Sequence, residues 1–408
     1  MVLRKEYLDK LWKLKDLRII KVITGIRRCG KSTLLKQFKC ELLKDGINEN
    51  QIISLNFEEL ENQSLLEYNI LYEYLKTKKC EGKKTYYLLD EIQMVESFEK
   101  VVNSLFVKED TDIYITGSNA YLLSSELATL LSGRYIEINL LPFSFKEYKI
   151  MMEKEDNDKL FAEYLVNGGL PYASLIRKNN IGSDLGYIEG IYNTVFVKDI
   201  EERERRKKKN QTDMKITDIQ LLKNISKYLS SVIGNPVSMN SIANYLTSNG
   251  RKTSHVTVGN YVLALEETYL YYKCERMDIK GKQLLKLNYK YYMVDLGFRK
   301  QILAQKKYDL GFSLENVVYF ELLRRGYQVN IGKIGNQEID FVAFKDGIYE
   351  YYQVSATILL EETFNREITP LKNIVDNYPK TILTNDKIGL GNYDGVEVKN
   401  IIDWLLSN

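Results

Sequence analysis

Residues 25–32 read Gly25-Ile26-Arg27-Arg28-Cys29-Gly30-Lys31-Ser32, matching the phosphate-binding pattern G-x-x-x-x-G-K-[ST] at every fixed position. No other stretch restricts the fold as sharply, because the pattern works only as a loop leaving a buried strand and entering a helix. Both flanks comply. Residues 19–24 are a short β-branched run suited to a buried strand, and residues 33–38 continue as a helix. The glycines let backbone N–H groups turn inward around a polyphosphate, the helix N-terminus adds partial positive charge, and Lys31 adds a full one. Ser32 is suited to hold a Mg²⁺ ion bridging the outer phosphates. The candidate nucleotide-binding run is therefore Gly25 to Thr33.

A nucleotide site also needs an acid at the end of another buried strand. Tyr86-Tyr87-Leu88-Leu89-Asp90-Glu91 supplies two. Asp90 leaves the strand on the sheet edge that carries the phosphate loop and can join the Mg²⁺ shell. Glu91 follows in position to polarise an attacking water.

Composition narrows the chemistry further. A chain of 408 residues should form two or three cores. With 58 basic and 55 acidic residues, a net charge of +3 does not announce a nucleic-acid binder, so any basic patch must be local. Cys29, Cys40, Cys80 and Cys274 lack metal-ligand spacing, and His255 is the single histidine, which sets aside zinc and Ser-His-Asp schemes. The cysteines suit a reducing cytosol. No apolar run approaches a membrane span and the Lys-rich start lacks the core of a signal peptide, so a cytoplasmic location is expected.

Tyr7, Leu8, Leu11, Leu14 and Leu17 fall at helical spacing and predict an amphipathic first helix over 1–18. From residue 19 strands and helices alternate: strands at 51–57, 86–90 and 112–116, with helices near 65–78 and 98–107 between them. That alternation implies a mostly parallel sheet with ligands at the carboxyl ends of its strands, where Thr116, Ser118 and Asn119 also fall.

On these motifs, residues 19–148 resemble an AAA+ ATPase core of the group in which the acidic strand lies away from the phosphate-loop strand. The resemblance implies ATP with Mg²⁺ as cofactors, Gly25–Ser32 as the Walker A loop, Asp90 and Glu91 as the end of Walker B, and Ser118-Asn119 at the sensor position. Asn119 also reads as the N-cap of a short helix. Arg134, entering a fifth strand, has two readings. It can be a finger serving a neighbouring subunit's nucleotide, which requires a homo-oligomer, or it can anchor the fold by pairing with Glu137 or another carboxylate. Gly168-Gly169-Leu170-Pro171 strengthens the resemblance to a prokaryotic group of these ATPases whose C-terminal domain has no known function.

Beyond the core at 19–150, residues 151–210 read as a helical lid and basic linker. The linker carries six basic residues in seven at 203–209, suited to a solvated linker or to phosphate-backbone contact. Three helices and a hairpin over 211–300 resemble a winged helix-turn-helix, with Arg251, Lys252, Thr253, Ser254, His255 and Thr257 near the start of its recognition-type helix. Residues 301–408 resemble the metal-dependent core of restriction enzymes and junction resolvases, with Glu315 on a helix and Asp340 on a strand. That core also needs an acid and, two positions later, a lysine. Here Gln353 and Ser355 stand in those places, so the domain is expected to be non-catalytic.

The expected fold is an α/β P-loop NTPase with a helical lid, followed by winged-helix and nuclease-like domains. The expected function is ATP hydrolysis coupled to engagement of DNA or a nucleoprotein. The alternatives are a nucleotide switch acting on a protein partner in regulation or defence and, more weakly, an ATP-dependent nuclease.

Overall fold

The structure, a computed structural model, describes residues 2–117, 131, 133–195, 200, 216, 218–303 and 310–407. Its chain divides into two compact units, residues 1–142 with 193–213, and residues 143–192 with 214–408. Among the described residues no helix is long and apolar enough to cross a membrane.

In the first unit, helix α1 (Lys5–Leu14) precedes β1 (Ile20–Thr24) and α2 (Lys31–Lys44). Then come β2 (Ile52–Asn56), α3 (Tyr68–Lys78), β3 (Thr85–Asp90), α4 (Phe98–Phe106), β4 (Thr111–Thr116) and β5 (Tyr135–Asn139). The described strands form a five-stranded sheet in the order β2-β3-β4-β1-β5, all parallel. The acidic strand β3 is thus separated from the phosphate-loop strand β1 by β4. All residues of β1 and β3 are buried. Val22, Leu89, Ile115, Leu71 and Val101 share one core on a face covered by α3 and α4.

A buried ion pair crosses this sheet from Lys21 to Asp112, whose second oxygen accepts from the Asp16 amide at 2.8 Å and the Tyr114 hydroxyl at 3.0 Å. Burial pulls the Lys21 pKa down, and Asp112 partly offsets it. The apolar stripe expected of the first helix stops early. Tyr7, Leu8 and Leu11 are buried, but the helix ends at Leu14 and Leu17 is exposed, because Lys15 turns to extended backbone.

The second unit opens with helices α5 (Phe145–Met152), α6 (Asn157–Asn167), α7 (Pro171–Lys178) and α8 (Leu185–Thr194). Next are α9 (Ile219–Ser231), β6 (Pro236–Val237), α10 (Met239–Ser248), α11 (His255–Glu267), β7 (Tyr271–Asp278), β8 (Gln283–Met293) and α12 (Leu296–Leu303). The chain continues through α13 (Leu310–Arg324), β9 (Gln328–Ile334), β10 (Gln337–Lys345), β11 (Ile348–Ser355), α14 (Glu361–Lys372), β12 (Lys380–Thr384), β13 (Gly391–Tyr393), β14 (Val396–Asn400) and α15 (Ile401–Leu406).

The described strands of this unit make one nine-stranded sheet, β13-β14-β12-β11-β10-β9-β7-β8-β6. Residues 211–300 and 301–408, separate in the sequence reading, therefore share a sheet. The joint is parallel pairing of Arg276, Met277 and Asp278 on β7 with Ile331, Gly332 and Lys333 on β9.

Gly168 and Gly169 are explained by packing within this unit. Asp295 accepts from the Gly169 amide at 2.7 Å and the Gly297 amide at 2.8 Å. A Cβ at Gly168, where φ is +68°, would fall inside the Asp295 carboxylate. Pro171 then starts α7, where its missing N–H costs nothing.

Candidate functional site

The phosphate loop leaves β1 and enters α2 through Gly30, the helix N-cap, at φ +106°. Gly25 has φ +136°, and a Cβ there would collide with the Leu140 carbonyl, so no other residue fits. Ile26 and Cys29 point into the core, Arg27 and Thr33 are half-buried, and Arg28 is exposed. Burial pushes the Cys29 thiol up, which keeps it protonated and unreactive. Lys31 is 6% exposed, and its ammonium donates to the Gly25 carbonyl at 3.2 Å across the loop.

Sequence reasoning missed the floor of this loop. Arg4 is 2% exposed and donates to the Cys29 carbonyl at 3.2 Å and the Leu141 carbonyl at 2.7 Å. Its own amide donates to Gln37 Oε1 at 3.1 Å, tying the segment to α2. One guanidinium thus spans the phosphate loop and the chain after β5.

Asp90 is buried at the end of β3. Burial raises its pKa, while hydrogen bonds from Thr116 and Ser32 and the charge of Lys31 oppose that rise. The Thr116 hydroxyl donates to Asp90 Oδ1 and accepts the Glu91 amide at 3.0 Å. Thr116 therefore sets both acids from the neighbouring strand. Glu91 adopts φ +54°, a left-handed backbone that turns it off the strand line, and its Oε2 accepts from Gln93 Nε2 at 2.5 Å. A hydroxyl and a carboxylate in hydrogen-bonding contact beside a buried lysine form an oxygen donor set suited to a hard divalent cation.

Arg134 lies elsewhere. It immediately precedes β5, at the sheet edge opposite the phosphate loop, with its guanidinium 5.5 Å from the centre of the Phe106 ring. Arg18 lies 5.7 Å from the centre of the same ring. Among the described residues Arg134 makes no ion pair, and Glu137 accepts instead from the Thr24 hydroxyl at 2.6 Å. The pairing with Glu137 is therefore absent: residues three apart on a strand face opposite ways. Ser118, Asn119 and the basic run at 203–209 lie outside the described residues.

The second unit contains a cavity of about 390 Å³ lined by Glu315, Glu338, Asp340, Gln353, Arg366 and Glu367, among others. The residues singled out for a nuclease-like core do meet there. The Asp340 amide donates to Gln353 Oε1 at 2.8 Å, and Asp340 Oδ2 accepts from the Val354 amide at 2.8 Å. Burial, with the Glu315 charge, pushes Asp340 well above the usual carboxylate range. No lysine stands near Ser355, but one reaches two of these acids from another element. Lys290 on β8 lies 2.9 Å from both Glu315 Oε1 and Glu338 Oε1.

A family model described as an AAA domain matches residues 18–149, and a domain of unknown function matches residues 158–309. An uncharacterized protein of Haemophilus influenzae is 40% identical over 411 residues, spanning 100% of this chain and 99% of its own. An uncharacterized protein of Methanocaldococcus jannaschii is 32% identical over 394 residues, 90% of this chain and 82% of its own. Among solved structures, the Walker-type ATPase of Pyrococcus abyssi is similar with a TM-score of 0.46 and 16% identity, covering 74% of this chain and 96% of that one.

Proposed function

The chain belongs to the family of AAA-domain proteins that includes its full-length relative in Haemophilus influenzae, and on that premise we propose that it is a Mg²⁺-dependent ATPase whose C-terminal half passes nucleotide state to DNA or a nucleoprotein. The observation that carries this reading is the meeting of Lys31, Ser32, Asp90 and Glu91 at one sheet edge, with Thr116 bonded to both acids.

In the proposed roles, the amides from Gly25 to Thr33 and the Lys31 ammonium hold the phosphates. Ser32 and Asp90 would hold the ion, which supplies charge neutralisation on the phosphates when bound. Glu91 orients and deprotonates the attacking water, and its bond to Gln93 keeps the carboxylate from swinging into solvent. Asn119 would hold the same water from the sensor position. Arg134 would serve as a finger to a second copy, a role consistent with an exposed guanidinium lacking a carboxylate partner among the described residues.

DNA engagement rests on the order α9, β6, α10, α11, β7, β8, which is that of a winged helix-turn-helix. At the start of α11, Arg251 is committed to Asp218, which leaves Lys252 and His255 exposed for contact. Near-neutral net charge favours the second reading, a switch acting on a protein partner.

ATP turnover with and without duplex and branched DNA, in the intact chain and in Glu91→Gln, tests the proposal. Stimulation by DNA that is lost in the variant supports it. Turnover indifferent to DNA moves the reading to the protein switch, and no turnover in the intact chain refutes the catalytic roles. Binding that weakens steeply with salt would mark phosphate-backbone contact.

A further inference from the structure

A nuclease-like core implies a divalent cation held by carboxylates on a helix and a strand. Carboxylates that line the cavity of the second unit already have a cation beside them. The Lys290 ammonium lies between Glu315 Oε1 on α13 and Glu338 Oε1 on β10, 2.9 Å from each, and its side chain is 4% exposed. The Tyr292 hydroxyl donates to the same Glu315 oxygen at 2.5 Å, and Arg276 lies 3.5 Å from the other oxygen of Glu338. Glu367 is occupied as well, by Gln353 Nε2 at 2.8 Å and Arg366 at 2.7 Å. Asp340 has the Val354 amide.

Three of these four carboxylates thus pair with Lys290, Arg276 or Arg366, and the fourth, Asp340, accepts from a backbone amide. With Lys290 seated against two of them, no three of these acids converge in a metal-holding geometry among the described residues. A metal ion needs carboxylate oxygens within about 2.0–2.6 Å, so it would have to displace an ammonium already hydrogen-bonded to Glu315 and ion-paired with Glu338, against like-charge repulsion. The lysine cannot diffuse away, because β8 holds it.

We propose that Lys290 is the resident cation of this cavity. It takes the place that a divalent ion occupies in a nuclease-like core, so the cavity binds no divalent metal and the second unit does not cleave DNA by a metal-dependent route. Its charge instead does a structural task. Lys290 comes from the hairpin of the winged-helix-like segment, whereas Glu315 and Glu338 come from the nuclease-like segment. The ion pairs therefore fasten the two segments across their shared sheet.

The test is Mn²⁺ binding to the nucleotide-free, full-length chain, read by the electron paramagnetic resonance of free Mn²⁺. An Asp90→Asn background keeps the phosphate-loop site out of the measurement. In that background, adding Asp340→Asn should change nothing. Lys290→Met should gain about one Mn²⁺ per chain, because removing the ammonium leaves oxygen ligands suited to a hard cation. Lys290→Met with Asp340→Asn should lose it again. Mn²⁺ binding by the chain with Lys290 intact that disappears with Asp340→Asn would overturn the proposal, as would a folded Lys290→Met protein that gains no site. If Lys290→Met does not fold, the Asp340→Asn comparison still decides. DNA cleavage with Mn²⁺ that depends on Asp340 would be equally fatal.

Discussion

Replacing Arg4 with Ala tests whether the floor of the phosphate loop matters to the nucleotide or only to the fold. Its guanidinium donates to the buried carbonyls of Cys29, inside the loop, and Leu141, outside it. A hydrogen bond from a charged donor contributes about 1.5–3 kcal/mol, so losing both should cost the first unit about 3–6 kcal/mol. At roughly 2–4 °C per kcal/mol for a unit of this size, its melting transition should fall by at least about 6 °C. Of these two bonds, the one to Cys29 lies in the loop, and its share of about 1.5–3 kcal/mol corresponds to roughly 10- to 150-fold weaker nucleotide binding by the folded protein. Titration with a fluorescent ATP analogue, well below the new melting temperature, reads that number. Arg4→Lys keeps one donor and should fall between the wild type and Arg4→Ala. If Arg4→Ala melts early yet binds the analogue with unchanged affinity, the loop holds its shape without Arg4 and the reasoning fails.

Other perturbations are as specific. Thr116→Val removes the hydroxyl that sets both Asp90 and Glu91, and turnover should drop by about 100-fold while analogue binding stays within a few-fold, because the acids are misplaced rather than lost. Lys21→Met leaves Asp112 charged and buried without its cation; urea denaturation of the first unit should show a loss of about 3–5 kcal/mol, and a loss under 1 kcal/mol would mean the pair is dispensable. Burial raises the Asp295 carboxyl from an ordinary 3.8 to about 6, so between those values the folded state binds more protons than the unfolded one. Stability of the second unit should therefore fall by about 3 kcal/mol as pH rises from roughly 4 to 6, then level off. Asp295→Asn should abolish that slope.

The candidate nucleotide site was legible because its logic is local. A β-branched run, a glycine loop and a helix start are consecutive in the chain, and an acid pair closing a buried strand needs no partner to be noticed. Arg4 carries no such mark. It acts on carbonyls 25 and 137 residues away, and backbone carbonyls look the same in every sequence. Thr116 was placed at the correct edge, but its link to two acids on the next strand depends on sheet order, which alternation of strands and helices leaves open. The pairing of Arg134 with Glu137 failed on strand geometry, since odd spacing puts two side chains on opposite faces.

Lys290 exposes a different blind spot. A nuclease-like pattern is searched as ligands awaiting an ion, so a missing lysine near Ser355 reads as a lost centre. The cation is instead built into a segment read as another domain, 25 residues before Glu315 and on the far side of the parallel joint between β7 and β9. Glu315 and Asp340 then match the nuclease-like pattern for a physical reason unrelated to cleavage: a buried ammonium requires carboxylates around it. Burial works against Lys290 carrying charge, but Glu315, Asp340 and Glu338 together raise its pKa and keep it protonated. Neutralising any one of these acids should therefore weaken the fastening between the two segments before it changes any chemistry. Glu315→Gln, which leaves a buried ammonium short of a charge partner, should lower the melting point of the second unit more than Glu367→Gln, whose carboxylate pairs with the exposed Arg366.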